Sequence, residues 1–315
     1  MTDRTAWFAQ CGWGVFCHYL TSVATSAEEW SGQVDRFDVE GLADQLETIR
    51  APYFFITIGQ GSGHYCAPNP TYDRLTGIVP SKCSRRDLVS DLCQALCARG
   101  IRLLVYVPAD GSNGDPEARR ALGMDRHWHD DGWRVTDWSR YRFVTFMRHW
   151  EEIVQDWSRR WGHRVCGWWV DGCYHAEVRY PEDGAPNLGT LAAALKAGNP
   201  DAIIAFNPGV CTPVIYYSRH DDYAAGEIDR ALPECPGAWL EKDGSRVRYH
   251  VLSYLGESWC KGAPRFPDEL VAGYTRHVIG KGGVITWDVP ILKEGRIPDP
   301  FLHQLEAIIR SAQWR

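Results

Sequence analysis

The sequence predicts an α/β fold, a (β/α)8 TIM-like barrel forming one domain over residues 1–315. Two observations carry this expectation. Short apolar runs rich in β-branched and aromatic residues alternate with stretches of helical spacing along the whole chain. Polar and acidic residues gather just after those runs, as they do at the active-site end of a barrel. A doubly wound sheet is the alternative topology. Over 315 residues, 44% hydrophobic and 23% charged, the chain is long enough for one large core. It shows no linker, internal repeat or low-complexity tract.

In chain order, residues 12–19 (GWGVFCHY) form the first strand, with His18 at its end. A polar loop carrying Glu28, Glu29 and Trp30 follows, then a helix over residues 39–49 on the spacing of Leu42, Leu46 and Ile49. Residues 53–58 (YFFITI) form the second strand and lead into a Gly/Pro-rich loop over 59–73. Asp87 and Gly100 bracket a helix over 87–99, and residues 101–107 (IRLLVYV) are the third strand. Residues 108–138 read as a polar insertion with helix at 116–122, followed by a long amphipathic helix over 141–161. The fourth strand ends at Asp171. A helix over 187–197 stops at Gly198-Asn199-Pro200, and residues 202–207 (AIIAFN) are the fifth strand. Residues 215–225 hold a weakly marked sixth, 249–255 the seventh and 283–289 the eighth, with helices over 267–279 and 301–311.

Composition narrows the function. A net charge of -6 argues against nucleic acid or an anionic membrane as partner. The 15 Trp and 14 Tyr can stack on sugar faces, though they also fill cores. The 11 Cys are scattered without a C-x-x-C pair and read as reduced thiols of a cytoplasmic protein. No signal peptide is expected from the polar Met1-Thr2-Asp3-Arg4, and no apolar stretch reaches the ~18–20 residues of a membrane span. No cofactor is expected, and self-association into a homo-oligomer is open.

The most informative stretch is Val165 to Gly172 (VCGWWVDG), a buried-strand pattern that spends its last position on Asp171. Strand ends form the active-site face of a barrel, so catalysis is the functional reading; a loop cap or a core ion pair is the other. His18, Glu29, Trp30, Gln60 to His64, Tyr106, Asn207, Glu227, Glu257 and Asp288 follow strands in the same way. Several acids converging on one pocket suit a site that binds hydroxyls and moves protons. The H-x-H run His127-Trp128-His129-Asp130-Asp131 marks no third metal ligand and reads as a solvated loop, so no metal site is expected. Gly59 to Gly63 is a poor phosphate loop, since Pro68 and Pro70 argue against a helix start close behind it.

At the level of motifs the chain resembles the α-L-fucosidases of glycoside hydrolase family 29. Trp7-Phe8 with Gly14-Val15-Phe16-Cys17-His18-Tyr19 is similar to the family's opening WF…GIFIHWG, and Glu29-Trp30-Ser31 to its EWY. Trp169-Val170-Asp171-Gly172 resembles the nucleophile motif W-x-DG, and Asp222 to Glu227 the later DY-x-TPE element. Gly282-Gly283-Val284 to Pro290, with Gly295-Arg296-Ile297-Pro298, resembles the closing segment. The resemblance implies a barrel-like catalytic domain, here without the β-sandwich that often follows it, and retaining exo-hydrolysis of a terminal α-linked sugar. Asp171 then takes the nucleophile's place. His18 and Glu29 take the places of hydroxyl-gripping groups, with Trp30 on the sugar's apolar face. Three departures bear on which sugar is bound. Gln60 and Gly61 replace the family's His pair, although His64 stands nearby; His250 sits where a Glu is common, near Trp259; and Asn207-Pro208 replaces an Arg.

Retaining hydrolysis needs two carboxyl groups roughly 5–5.5 Å apart, one a nucleophile and one an acid that later serves as base. With Asp171 as nucleophile, Glu227 is the first choice for the acid, Glu257 the second and Glu241 the third. His18, Gln60, His64, Tyr106, Trp169, Asn207, His250 and Trp259 complete the expected substrate-binding set, around a small carbohydrate. A sugar-binding barrel without hydrolysis, and a carbohydrate-active lyase or isomerase, are the competing functions.

Overall fold

The computed structural model describes residues 3–127, 130, 135–242 and 244–310. In chain order the strands are β1 (Trp13–Cys17), β2 (Tyr53–Thr57), β3 (Arg102–Pro108), β4 (Val165–Asp171), β5 (Ile203–Phe206), β6 (Trp239–Lys242), β7 (Ser245–Arg248), β8 (His250–Tyr254) and β9 (Val284–Asp288). Seven of them form one curled parallel sheet in the order β5-β4-β3-β2-β1-β9-β8, while β6 and β7 pair antiparallel on their own. The helices are α1 (Ala6–Cys11), α2 (Ala27–Asp35), α3 (Val39–Thr48), α4 (Pro70–Thr76), α5 (Leu88–Ala98), α6 (Pro116–Leu122), α7 (Val144–Trp161), α8 (Ala176–Arg179), α9 (Leu188–Leu195), α10 (Asp268–Gly280) and α11 (Asp299–Arg310). Ser311, expected in the last helix, lies outside the described residues.

Side-chain alternation explains how a nearly all-apolar sheet has two cores. Phe16, Phe55, Leu104, Trp169, Ile203, Leu252 and Val284 point to the concave interior, where Phe8 of α1 and Tyr223 close the group. Their neighbours Val15, Phe54, Val105, Trp168, Ile204, Val251 and Ile285 face the surrounding helices. Both faces are buried, so the strands read as continuous hydrophobic runs.

The expected sixth strand is absent: residues 215–225 contain no strand. The space between β5 and β8 is crossed by an irregular segment, residues 221–228. Against the end of β7 and against β8 it makes backbone hydrogen bonds, from Ala224 N to Arg248 O, Leu252 N to Gly226 O and Ile228 N to Leu252 O. Gly226 lets this segment approach, since its φ is +66° and a Cβ there would stand 2.0 Å from the His250 carbonyl. Against β5 it relies mostly on side chains. Asp222 N donates to Ile204 O, but the Ile204 and Phe206 amides donate to the carboxylates of Asp222 and Asp221. Aspartates doing the work of a ladder erase the strand pattern. The fold is therefore a curled half-barrel with a seam, consistent with a TIM-like barrel of seven regular strands.

Two helices form where loops were expected. Ser26 and Glu29 make a reciprocal capping box that starts α2. Asn69 caps α4 with Pro70 in its first turn, so the proline begins the helix it was expected to forbid.

Candidate active site

The carboxyl ends of β1, β3, β4 and the 221–228 segment enclose a cavity of about 570 Å³. Asp171, the last residue of β4, lines it beside Glu227, His18, Gln60, Tyr106, Trp169 and Trp259. Gly172 follows with φ +75°, turning the chain sharply so that its own N–H donates to Asp171 Oδ1 at 2.8 Å. Tyr106 from β3 donates to Oδ2 at 2.6 Å, and Gln60 in turn donates to the Tyr106 hydroxyl at 2.7 Å. Asn207, just past β5, donates to Asp171 Oδ1 at 2.9 Å. Three donors thus fix the carboxylate, which is an acceptor only.

The same Asn207 Nδ2 donates to Glu227 Oε2 at 2.6 Å. One nitrogen bridging both carboxyl groups keeps their nearest oxygens within at most about 5.5 Å, compatible with the ~5–5.5 Å of retaining glycosidases and short of the ~6.5–9.5 Å of inverting ones. Burial first, and the Asp171 charge second, push the Glu227 carboxyl up to about 7, with the Asn207 hydrogen bond opposing them. Glu227 therefore holds a proton near neutrality and can deliver it. Burial and the same Asp171 charge keep the Tyr106 phenol protonated.

Opposite the pair, His18 Nδ1 is tied to Asp288 Oδ1 at 2.7 Å, and Asp288 Oδ2 accepts from Cys260 N at 2.7 Å. This anchor leaves His18 Nε2 for a ligand. The Trp259 ring stands 6.0 Å from that of His18, and Trp169 stacks on Tyr106 at 5.4 Å.

The structure brings Asp171, Glu227, His18, Gln60, Tyr106, Trp169, Asn207 and Trp259 together, but six other expected residues stand elsewhere. Glu29 is spent on the α2 capping box. Trp30 is 1% exposed in the core, donating to Tyr65 O at 2.9 Å. His64 is buried near Trp30 and does not line the cavity, and burial lowers its proton affinity. His250 is a core residue bonded to Ala224 O and Thr286, pushed down to about 4 by burial. Glu257 is exposed and does not line the cavity, and Glu241 is exposed on β6. Sequence reasoning passed over Thr21, Ser22, Cys260 and Lys261, which line the cavity from loops with no periodic signal. Of the H-x-H run, His127 bonds to Asp110 at 3.2 Å, while Trp128, His129 and Asp131 lie outside the described residues. Among the described residues no group of three or more His, Cys, Asp or Glu has metal-holding geometry.

No family model matches the sequence, and no curated protein does. Solved structures match the fold. An endo-fucoidan hydrolase of glycoside hydrolase family 107 aligns with TM-score 0.72 at 15% identity, over 99% of this chain and 94% of that one. A second family 107 endo-fucoidan hydrolase aligns with TM-score 0.74 at 19% identity, over 97% of this chain and 63% of its own length. The α-L-fucosidase isoenzyme 1 of Paenibacillus thiaminolyticus aligns with TM-score 0.64 at 18% identity, over 97% of this chain and 74% of that one. The chain spans little more than half of some of these relatives, 53% of a further family 107 enzyme. The fold likeness thus extends over fucose-processing hydrolases of more than one kind and does not single out family 29.

Proposed function

We propose that this chain is a retaining glycoside hydrolase acting on α-L-fucosides or a related sugar, removing a terminal unit through a covalent glycosyl-enzyme intermediate. The observation that carries this reading is the single Asn207 amide shared by Asp171 and a Glu227 that titrates at about 7. Asp171 attacks the anomeric carbon as Glu227 gives its proton to the leaving oxygen. Esterified Asp171 is uncharged, so one cause of the raised Glu227 value disappears. Glu227 is then ionised and takes a proton from the water that releases the sugar. His18, Gln60 and Tyr106 orient hydroxyls, and Trp259 and Trp169 offer ring faces. Eleven thiols without a disulfide fit a reducing compartment, and no helix of the described residues is long and apolar enough to cross a membrane.

The test is turnover of aryl α-L-fucosides by wild type and Asp171→Asn, with the retained or inverted anomer read by NMR. The reading requires wild-type cleavage with retention and a loss of ~10³-fold or more in the variant. An unimpaired variant ends the assignment of Asp171. The higher fold similarity to endo-fucoidan hydrolases favours a second reading, internal cleavage. Monosaccharide against oligosaccharide as first product from a fucose polymer decides between them.

A further inference from the structure

Asp171 and Asn207 end the neighbouring strands β4 and β5, and the loops leaving them build a second cavity. From Asp171 the chain passes Tyr174 into α8. From Asn207 it passes Gly209 and Cys211 to Tyr217. The two loops touch where the Tyr174 ring covers Gly209, 3.0 Å from where a Cβ would stand. Between these loops, the start of α9 and the end of β6 lies a cavity of about 480 Å³, whose lining includes Glu177, Tyr180, Asn187, Tyr217, His220 and Lys242. Both loops follow the carboxyl ends of parallel strands, so this cavity stands at the catalytic end of the sheet.

Its place relative to the catalytic pair is asymmetric. The loop that carries Tyr217 is bonded to the acid's segment: Cys211 N donates to the Glu227 carbonyl at 3.2 Å. The His18–Trp259 wall is on the other cavity, and the two linings share no residue. An acid that protonates a leaving oxygen stands on the leaving-group side of the scissile bond, and the loop bonded to Glu227 is the one that carries Tyr217 into the second cavity.

Its chemistry suits a sugar. Tyr217 is 41% exposed, an uncovered aromatic face. Tyr180 is 5% exposed, and its hydroxyl has no hydrogen-bond partner among the described residues. Burial lowers the proton affinity of His220, and the neutral ring offers both a donor and an acceptor to hydroxyls. Glu177 and Lys242 add an acceptor and a donor.

We propose that this cavity binds a further sugar unit of the substrate on the leaving-group side, with Tyr217 as its stacking face. The proposal rests on the hydrolase reading above. Its test is calorimetric titration of an α-L-fucose tetrasaccharide into Asp171→Asn, with and without Tyr217→Ala or His220→Ala. The expected result is a tetrasaccharide Kd about tenfold weaker with Tyr217→Ala, with unchanged affinity for an aryl α-L-fucoside too short to reach the cavity. Equal tetrasaccharide affinity in both backgrounds, no tetrasaccharide binding to Asp171→Asn, or an equal loss for the aryl fucoside overturns it. Failure of the hydrolase reading shows separately, as absent wild-type turnover. Because Tyr217 is exposed, its truncation leaves the core untouched.

Discussion

Two carboxylate clusters stand back to back at the ends of β3 and β4, and they solve opposite problems. In front, the donors are neutral: Asn207 bonds both Asp171 and Glu227, while Tyr106 and the Gly172 amide bond Asp171 alone. Behind, Asp110 is 3% exposed and lies against Arg179 and His127, which are equally enclosed. A Cβ on Gly172 would stand 3.5 Å from Asp110 Oδ2, so one turn of chain separates the clusters. Burial raises both carboxyls. Behind, Arg179 and His127 overcome it and hold Asp110 down to about 2; in front no fixed cation does so, and Glu227 rises to about 7. A permanent cation placed behind the site, not in it, gives rigidity without quenching the acid. Arg179 also donates to the carbonyl of Gly172 at 2.9 Å, so the rear cluster holds the turn that aims Asp171.

Breaking the rear cluster has the largest expected effect. Arg179→Met strands the Asp110 charge and should cost about 3–5 kcal/mol of stability, read by urea unfolding. The linkage has a definite sign. The Asp110 contribution is complete above its ordinary value of 3.8 and is lost as pH falls through about 2. Protonated Glu227 stabilises the fold below about 4.5, and that contribution is lost as pH rises through about 7.

Glu227→Gln should lower kcat by ~10²–10⁴ on substrates with poor leaving groups while leaving the fold intact. It should also abolish the decline of wild-type kcat/KM as pH rises through about 7, a limb that belongs to the coupled pair. A variant that keeps this limb would remove Glu227 from the role of acid. Asn207→Ala sharpens the contrast further. Losing the shared donor should reduce kcat by ~10–100-fold and move the same limb to higher pH, because the Asn207 hydrogen bond favours the ionised carboxyl. The smallest effect is expected outside both clusters. Glu29→Ala should lower Tm slightly by opening the α2 capping box, with kcat/KM unchanged; a marked rise in KM would restore its sugar-gripping role.

What could be read from the residues follows the same physics. Asp171, Asn207, Tyr106 and His18 were legible because each ends or closely follows an apolar run whose burial is unambiguous. Trp30 and His250 have the right residue type and the wrong direction, since alternation along a chain does not say which face a loop or strand-end side chain takes. Glu29 was mistaken because Ser26 and Glu29 were read as a polar loop, although their spacing is that of a helix start. Glu257 follows the expected seventh strand as closely as Glu227 follows the expected sixth, and only the path of the loop turns it to solvent. The absence of a sixth strand was illegible, because no residue pattern says that Asp221 and Asp222 take the place of backbone partners.

That seam between β5 and residues 221–228 sets an order of failure. It parts Asp171 and Asn207 from Glu227, and β5 itself is held to it by one backbone hydrogen bond and two carboxylate contacts, supported by side-chain bonds from Asn207 to Glu227, Trp169 to Ala225 O and Tyr223 to Trp168 O, where β4 and β5 are held by a ladder. On heating, nucleophile and acid should separate before the sheet melts. Turnover should then vanish at a lower temperature than far-ultraviolet ellipticity, with the Ile204 and Phe206 amides exchanging ahead of those in β2 and β3.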